Sequence, residues 1–340
     1  MNTAKDTILK VDNLKLQFSS NGQTLNALNG ISFSIRRGET FGFVGESGCG
    51  KSTTSRAILR LLADNAKITD GTIYYNETDL LKLSEKDLRK IRGKEIGMIF
   101  QDPMTALNPV LTIRKQIFEQ LRDTKLSSKE KEIVAIEIMN KVGIPLPEKR
   151  LNEYIFQYSG GMRQRAMIAI TLAGNPKLLI ADEPTTALDV TIQDQIIKLL
   201  NHVKEDFGVS ILLITHDLGV VGRMCDRVAV MYAGYIVEMA DTYTLFSAPR
   251  HPYTKGLMDA LPKLPQEQTR NEEMKPIPGA LPSLSDLPQG CPFVSRCQLH
   301  QTLCQDQLPT MQEISPGHFA RCHYFHKLEG CTGLINCTKG

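Results

Sequence analysis

No stretch of the 340-residue sequence approaches the roughly 18 to 20 consecutive apolar residues that cross a bilayer as a helix, so no membrane-spanning helix is expected. The start, Met1-Asn2-Thr3-Ala4-Lys5-Asp6, is polar and lacks the charged and apolar regions of a secretion signal, which places the expected location in the cytoplasm. A strong excess of either charge is also missing: 40 Lys and Arg against 37 Asp and Glu leave a net charge of +3. So weak a basic field argues against nucleic acid as the main partner. Cysteine is scarce before residue 291, where only Cys49 and Cys225 occur among the eight. Thiols in the cytoplasm are not expected to pair as structural disulfides, so the crowding of the other six toward the C-terminal end needs its own explanation. The length suffices for two domains with a sizeable core.

What is present begins with Gly45-Glu46-Ser47-Gly48-Cys49-Gly50-Lys51-Ser52-Thr53, which fits the phosphate-loop pattern G-x-x-x-x-G-K-[ST]. It follows Thr40-Phe41-Gly42-Phe43-Val44, a short apolar run that reads as a buried strand. Gly48 and Gly50 let the backbone curl so that successive N–H groups face a phosphate, and a helix starting near Lys51 aims its positive end at the same charge. Lys51 would reach the β- and γ-phosphates, and the Ser52 hydroxyl would be a hard oxygen ligand for magnesium. The plain alternative is a glycine-rich turn before an ordinary helix.

Ahead of the loop, Ile8 to Phe18 and Ile31 to Ile35 read as antiparallel strands with Ser19-Ser20-Asn21-Gly22 as the turn. Phe18 could stack on an adenine ring or serve as plain core. The loop's helix is expected to run to about Leu62, followed by a strand at Gly71 to Tyr75 and a charged segment from Ser84 to Arg92. Ile96-Gly97-Met98-Ile99-Phe100 reads as a buried strand ending in Gln101-Asp102-Pro103, where Pro103 marks the exit into a loop and Gln101 offers a neutral oxygen to magnesium. From Leu107 to about Val142 the apolar spacing is helical, closed by Gly143-Ile144-Pro145, so a helical insertion interrupts an α/β domain.

In Tyr158-Ser159-Gly160-Gly161-Met162, Ser159 is a good N-cap and the glycines leave first-turn amides open to an anion; a capped helix and nothing more is the alternative. The sequel argues against that alternative. Lys177 to Ala181 is another buried strand, ending in Asp182-Glu183-Pro184, and carboxylates at the carboxyl end of a parallel strand face the crevice where α/β folds bind ligands. Asp182 can hold a magnesium water while Glu183 polarises the attacking water. Thr186-Ala187-Leu188-Asp189 follows, and a third buried strand, Val209 to Ile214, delivers Thr215-His216-Asp217. At that strand end His216 could hydrogen-bond a γ-phosphate oxygen and help to orient Glu183 or the water.

Walker A loop, glutamine loop, S-G-G-M signature, Walker B with its glutamate, A-L-D and switch histidine, in this order, resemble the ATP-binding subunits of ATP-binding cassette (ABC) transporters over roughly residues 8 to 240. The resemblance implies an α/β P-loop NTPase with a RecA-like core, an antiparallel β subdomain, a helical subdomain at about 104–172 and an extension over 241–340. It implies ATP with Mg2+, and two cassettes meeting head to tail. Ser159, Gly160, Gly161 and Met162 would then face the partner's ATP, with Asp189 in the D-loop between them. Lys51, Ser52, Gln101, Asp182, Glu183 and His216 would act in cis. Tyr158 and Met162 replace the commoner Leu and Gln of the signature, while Ser159 and both glycines remain.

The tail narrows the resemblance. Met231 to Glu238, Leu245-Phe246, Pro249 to Leu257, Pro276 to Gly279 and Gly290-Cys291-Pro292-Phe293 look like the dipeptide and oligopeptide importer ATPases, whose relatives also serve nickel uptake. That implies a peripheral protein on the cytoplasmic membrane face, a second and paralogous ATPase, two permease subunits and an external solute-binding protein. Cys291, Cys297, Cys304 and Cys322 leave five, six and seventeen residues between them. Four such thiolates can hold a metal group, and by the resemblance a 4Fe-4S cluster is favoured, with zinc or reduced buried thiols as alternatives. Cys331 and Cys337 fall outside that set. The competing classes are a nickel importer ATPase, a soluble cassette ATPase acting on DNA or ribosomes, and a regulator that binds ATP without hydrolysis. The soluble kind usually carries two cassettes in one chain or a long coiled-coil insertion, and neither is present. Glu183 and His216 speak against the regulator.

Overall fold

The apolar runs that the sequence sets out become the strands of the computed structural model, which describes residues 6–20, 22–186, 188–261 and 277–328. In chain order the strands are β1 (Thr7–Ser20), β2 (Gln23–Arg36), β3 (Thr40–Val44), β4 (Ala66–Tyr75), β5 (Thr78–Asp79), β6 (Ile96–Ile99), β7 (Leu178–Asp182), β8 (Ser210–Thr215), β9 (Arg227–Tyr232), β10 (Tyr235–Asp241), β11 (Gln312–Ser315) and β12 (His318–Ala320). The described residues fall into two compact units, one drawn from the described parts of Met1–Leu9, Ile35–Thr40 and Tyr75–Ile214, the other from those of Lys10–Ser34, Phe41–Tyr74 and Thr215–Gly340.

In the first unit β6, β7 and β8 run parallel, with Ile96 opposite Leu178 and Asp182 opposite Ile214. Every residue of these strands is buried, which is why they read as unbroken apolar runs rather than alternating ones. The helical insertion is real: helices Ile113–Gln120 and Ser128–Lys141 both pack on Gly160–Ala173. Each begins on a hydroxyl N-cap, Thr112 and Ser127, and Ser127 forms a reciprocal capping box with Glu130. Gly174, after the third helix, brings its backbone against Gly93, where a Cβ would lie 1.8 Å from the Gly93 carbonyl oxygen.

In the second unit β2, β1 and β4 are neighbours in one sheet, and β3 lies parallel to β9. β9 and β10 form an antiparallel hairpin whose turn holds Ala233 and Gly234 at positive φ. β10 then pairs with β12, Glu238 opposite Ala320, and β12 with β11. The extension thus adds two strands to the sheet that carries the phosphate loop. Phe33, Phe41 and Phe43 stack and meet edge to face in its core.

Some boundaries differ from the sequence expectation. The loop's helix ends at Ile58 rather than about Leu62, because Arg60 turns to φ 50° and breaks the ladder. Pro103 opens not a plain loop but a short helix, Pro103–Ala106, capped by the Asp102 carboxylate; proline at a first helical position costs no hydrogen bond. No described helix is long and apolar enough to cross a membrane. Met1 to Asp6 is described only at Asp6, and Asn21, Ala187, Pro276, Cys331 and Cys337 lie outside the described residues.

Candidate functional site

In the second unit the glycines of the 45–53 loop do what their chemistry permits. Gly45, Gly48 and Gly50 take φ of 156°, 82° and 110°, and a Cβ on Gly45 would sit 2.3 Å from the Met231 carbonyl oxygen. Gly50 is the left-handed N-cap of the helix Lys51–Ile58, so that helix's amide end opens on the loop. Lys51 is 4% exposed, and its ammonium donates to the carbonyls of Gly45 at 2.6 Å and Glu46 at 2.9 Å. Ser52 and Thr53, in the first turn of the same helix, are half-buried. Ser47 is exposed in the loop, and Cys49 is buried, its carbonyl accepting the Gly234 N–H; burial pushes its thiol pKa up. His216 is exposed just past β8, and the adjacent Asp217 caps the helix Leu218–Met224. Phe18 is half-buried near the end of β1.

In the first unit Asp182 is 2% exposed at the carboxyl end of β7. The next residue, Glu183, adopts φ 48°, and its N–H donates to the Ile214 carbonyl of β8. A glutamate held left-handed is uncommon and, like other such strained residues, is a reason to look for function. Its carboxylate accepts from Gln101 Nε2 at 3.0 Å and from Thr186 Oγ1 at 2.8 Å. Two residues singled out separately, Gln101 and Glu183, therefore meet. Ser159 is an exposed N-cap that accepts the Met162 N–H, Gly160 is exposed with nothing within 4 Å of a Cβ position, and Gly161 stands against Ile192. The signature thus lies on an open face. Asp189 caps the helix Val190–Phe207 by accepting the Ile192 N–H.

The tail cysteines do come to one place. Cys291, Cys297, Cys304 and Cys322 line a single cavity with His251 and Phe293. The Cys304 carbonyl accepts the Cys291 N–H. Burial pushes the Cys291 thiol up to about 11 and the Cys322 thiol to about 12, with mutual repulsion among the sulfurs adding to it. Among the described residues, however, no group of three or more His, Cys, Asp or Glu side chains is set to hold a metal ion. Four soft donors around one cavity are of the chemical type that a sulfur-ligated cluster or a four-thiolate zinc site uses.

Sequence reading missed three contributors. Thr186 is recognisable only once Glu183 is known to turn back on it. Tyr253 and Arg296, far along the chain, both hold Glu46: the Tyr253 hydroxyl accepts the Glu46 N–H at 2.9 Å, and Arg296 grips the carboxylate. No local pattern announces either residue.

Residues 28–186 match the family model described as ABC transporter, and residues 237–304 that of the oligopeptide/dipeptide transporter C-terminal region. The chain is similar to the dipeptide transport ATP-binding protein DppD of Bacillus subtilis (strain 168), 48% identical over 319 residues that span 93% of this chain and 94% of the relative. It is likewise similar to the oligopeptide transport ATP-binding protein OppD of Escherichia coli (strain K12), 46% identical over 93% of each chain. Among solved structures it resembles a dimeric, post-hydrolysis ATP-binding cassette bound to ADP and phosphate, 29% identical with a TM-score of 0.62, over 69% of this chain and 98% of that one. The α/β phosphate-loop fold expected from the motifs is the fold of these cassettes.

Proposed function

The chain belongs to the ABC transporter family of ATP-binding proteins, and we propose that it is the ATP-hydrolysing subunit that energises import of dipeptides or oligopeptides through separate permease subunits. The observation that carries this reading is the continuity of likeness: the peptide-transporter C-terminal region follows the cassette within one chain, and relatives near half-identical match along 93% of it. Such a subunit works at the cytoplasmic face of the membrane without crossing it.

In this reading the amides of residues 46–51 gather the phosphates, and Lys51 exchanges its two loop carbonyls for phosphate oxygens. Ser52, Gln101 and Asp182 serve the magnesium that accompanies ATP. Glu183 polarises the attacking water, with His216 at the γ-phosphate, so catalysis is positioning and electrostatics around an in-line attack. Ser159, Gly160, Gly161 and Met162, with Asp189, complete the site of a second cassette, which the peptide-importer likeness favours as a paralogue. Phe18 stacks on the adenine. ATP closes the pair, hydrolysis opens it, and the segment after Gln101 passes the change to the permease.

Cys291, Cys297, Cys304 and Cys322 are the donors that would hold a 4Fe-4S cluster, and that group would supply folding free energy to a segment with little core of its own. Their thiol protons must leave for sulfur to ligate iron, and the raised pKa values mean that cluster loading and proton release go together.

Co-purification of the tagged chain from membranes, with mass spectrometry of what stays bound, tests the assignment. Two permease subunits and a second cassette are expected. Ribosomal or DNA-associated proteins without a permease would leave the nucleotide chemistry and remove the transport role.

A further inference from the structure

Glu46 puts a carboxylate into a loop whose other groups are arranged to receive an anion. The structure answers that charge from a distance of 250 residues in sequence: Arg296 Nη1 donates to Glu46 Oε2 at 2.7 Å and Nη2 to Oε1 at 2.9 Å, a two-pronged pair. The Arg296 side chain is 4% exposed and that of Glu46 31%. The guanidinium is itself fixed, Nε donating to the Pro278 carbonyl at 2.8 Å and its plane lying near the Tyr232 and Phe293 rings, 5.7 and 5.9 Å from their centroids. Tyr253 accepts the Glu46 N–H, so the C-terminal extension holds this one loop residue by both side chain and backbone. Leu281, also of the extension, stands 3.7 Å from a Cβ position on Gly48.

We propose that Arg296 is a positioning residue for the phosphate loop: its fork cancels the Glu46 charge and pins the loop in the shape that receives the triphosphate, so that the C-terminal extension sets the affinity for ATP. The inference rests on the reading of residues 45–53 as the ATP phosphate cradle. Without Arg296 the Glu46 carboxylate would face the incoming polyphosphate uncompensated, and repulsion across a partly shielded distance is worth on the order of tenfold in affinity. Removing one member of such a pair is costlier than neutralising both. Arg296 lies between Cys291 and Cys297, so whatever orders the cysteine cavity also orders this grip.

The test is equilibrium binding of MgATP to the full chain, with the thermal midpoint recorded alongside, for the wild type, Arg296→Met, Arg296→Lys and the double variant Arg296→Met with Glu46→Gln. Arg296→Met is expected to weaken ATP binding about tenfold, more at low salt than at high. The double variant is expected to regain most of the loss, and Arg296→Lys, which keeps the charge but not the fork, to fall between. If Arg296→Met does not fold, Arg296→Gln, which keeps a donor for the Pro278 carbonyl, takes its place against the same double neutralisation. A lowered midpoint with unchanged ATP affinity would reduce Arg296 to a structural role and overturn the proposal. So would a loss of affinity that Glu46→Gln does not relieve. A wild-type chain that binds no MgATP would instead refute the nucleotide reading beneath it.

Discussion

The side-chain amide of Gln101 donates to the carboxylate of Glu183 at 3.0 Å across 82 residues of sequence, joining the end of β6 to the turn after β7. The pair ties the residue proposed to polarise water to the residue proposed to meet magnesium and to signal to the permease. Thr186 holds the same carboxylate oxygen, and the left-handed backbone of Glu183 aims it.

Glu183→Gln keeps the shape and removes the base. Hydrolysis is expected to fall by about 10² to 10⁴ while ATP is still bound, so that a closed, ATP-loaded dimer accumulates. Single-turnover hydrolysis with size-exclusion chromatography reads both effects, and near-normal turnover would remove Glu183 from the role of base.

Two glycines separate packing from function. At Gly174 a Cβ would meet the Gly93 carbonyl oxygen at 1.8 Å although φ there is −72°, so the obstacle is contact rather than backbone strain. Gly174→Ala is expected to cost about 1 to 3 kcal/mol through forced backbone shifts, seen as a lower denaturation midpoint. Gly160 has open space around it, so Gly160→Ala is expected to stay within about 0.5 kcal/mol of the wild type. Its ATP turnover should nonetheless fall at least tenfold if the signature meets a partner's nucleotide. Unaltered turnover with unaltered stability would count against the head-to-tail pairing.

The strand ends and motif residues were legible because their chemistry is local. Buried parallel strands announce themselves as apolar runs, and the carboxylates, glutamine and histidine sit at their ends. The Ser159, Ser127 and Asp189 caps could be found the same way, since a cap is a matter of spacing. What could not be read is held together by long-range contacts: Arg296 and Tyr253 on Glu46, Glu183 on Gln101, and β12 joining β10. The early end of the Lys51–Ile58 helix depends on one residue, Arg60, adopting a conformation that its side chain does not encode.

The helix Ser128–Lys141 carries its own pH dependence. The Ser127 hydroxyl and then its N–H hold the Glu130 carboxyl below the ordinary carboxylate value. A depressed carboxyl contributes stability above its unfolded value near 4.3 and loses that contribution as pH falls through its folded value. The Ser127 amide resonance should therefore be constant at neutral pH and shift only in acid, below about 4.3. A midpoint above that value would mean that the capping box does not stabilise the charged form.

Anaerobic purification tests the cysteine cavity. Iron and acid-labile sulfide with visible absorbance are expected, and serine in place of any one of Cys291, Cys297, Cys304 or Cys322 should reduce them. In cluster-free protein the raised thiol pKa values predict slow alkylation of Cys291 and Cys322 near neutral pH, with a rate that climbs steadily as pH is raised and the thiolate fraction grows. A colourless preparation with stoichiometric zinc would contradict the cluster.

The central claim is that ATP hydrolysis on this chain drives peptide import, and the most direct measurement is ATP turnover and peptide uptake in proteoliposomes holding the chain, its second cassette, the two permeases and the solute-binding protein. Uptake that requires ATP, hydrolysis that rises when peptide-loaded binding protein is added, and loss of both with Glu183→Gln are the expected results. Peptide uptake that persists with Glu183→Gln, or hydrolysis indifferent to permease and peptide, would contradict the claim.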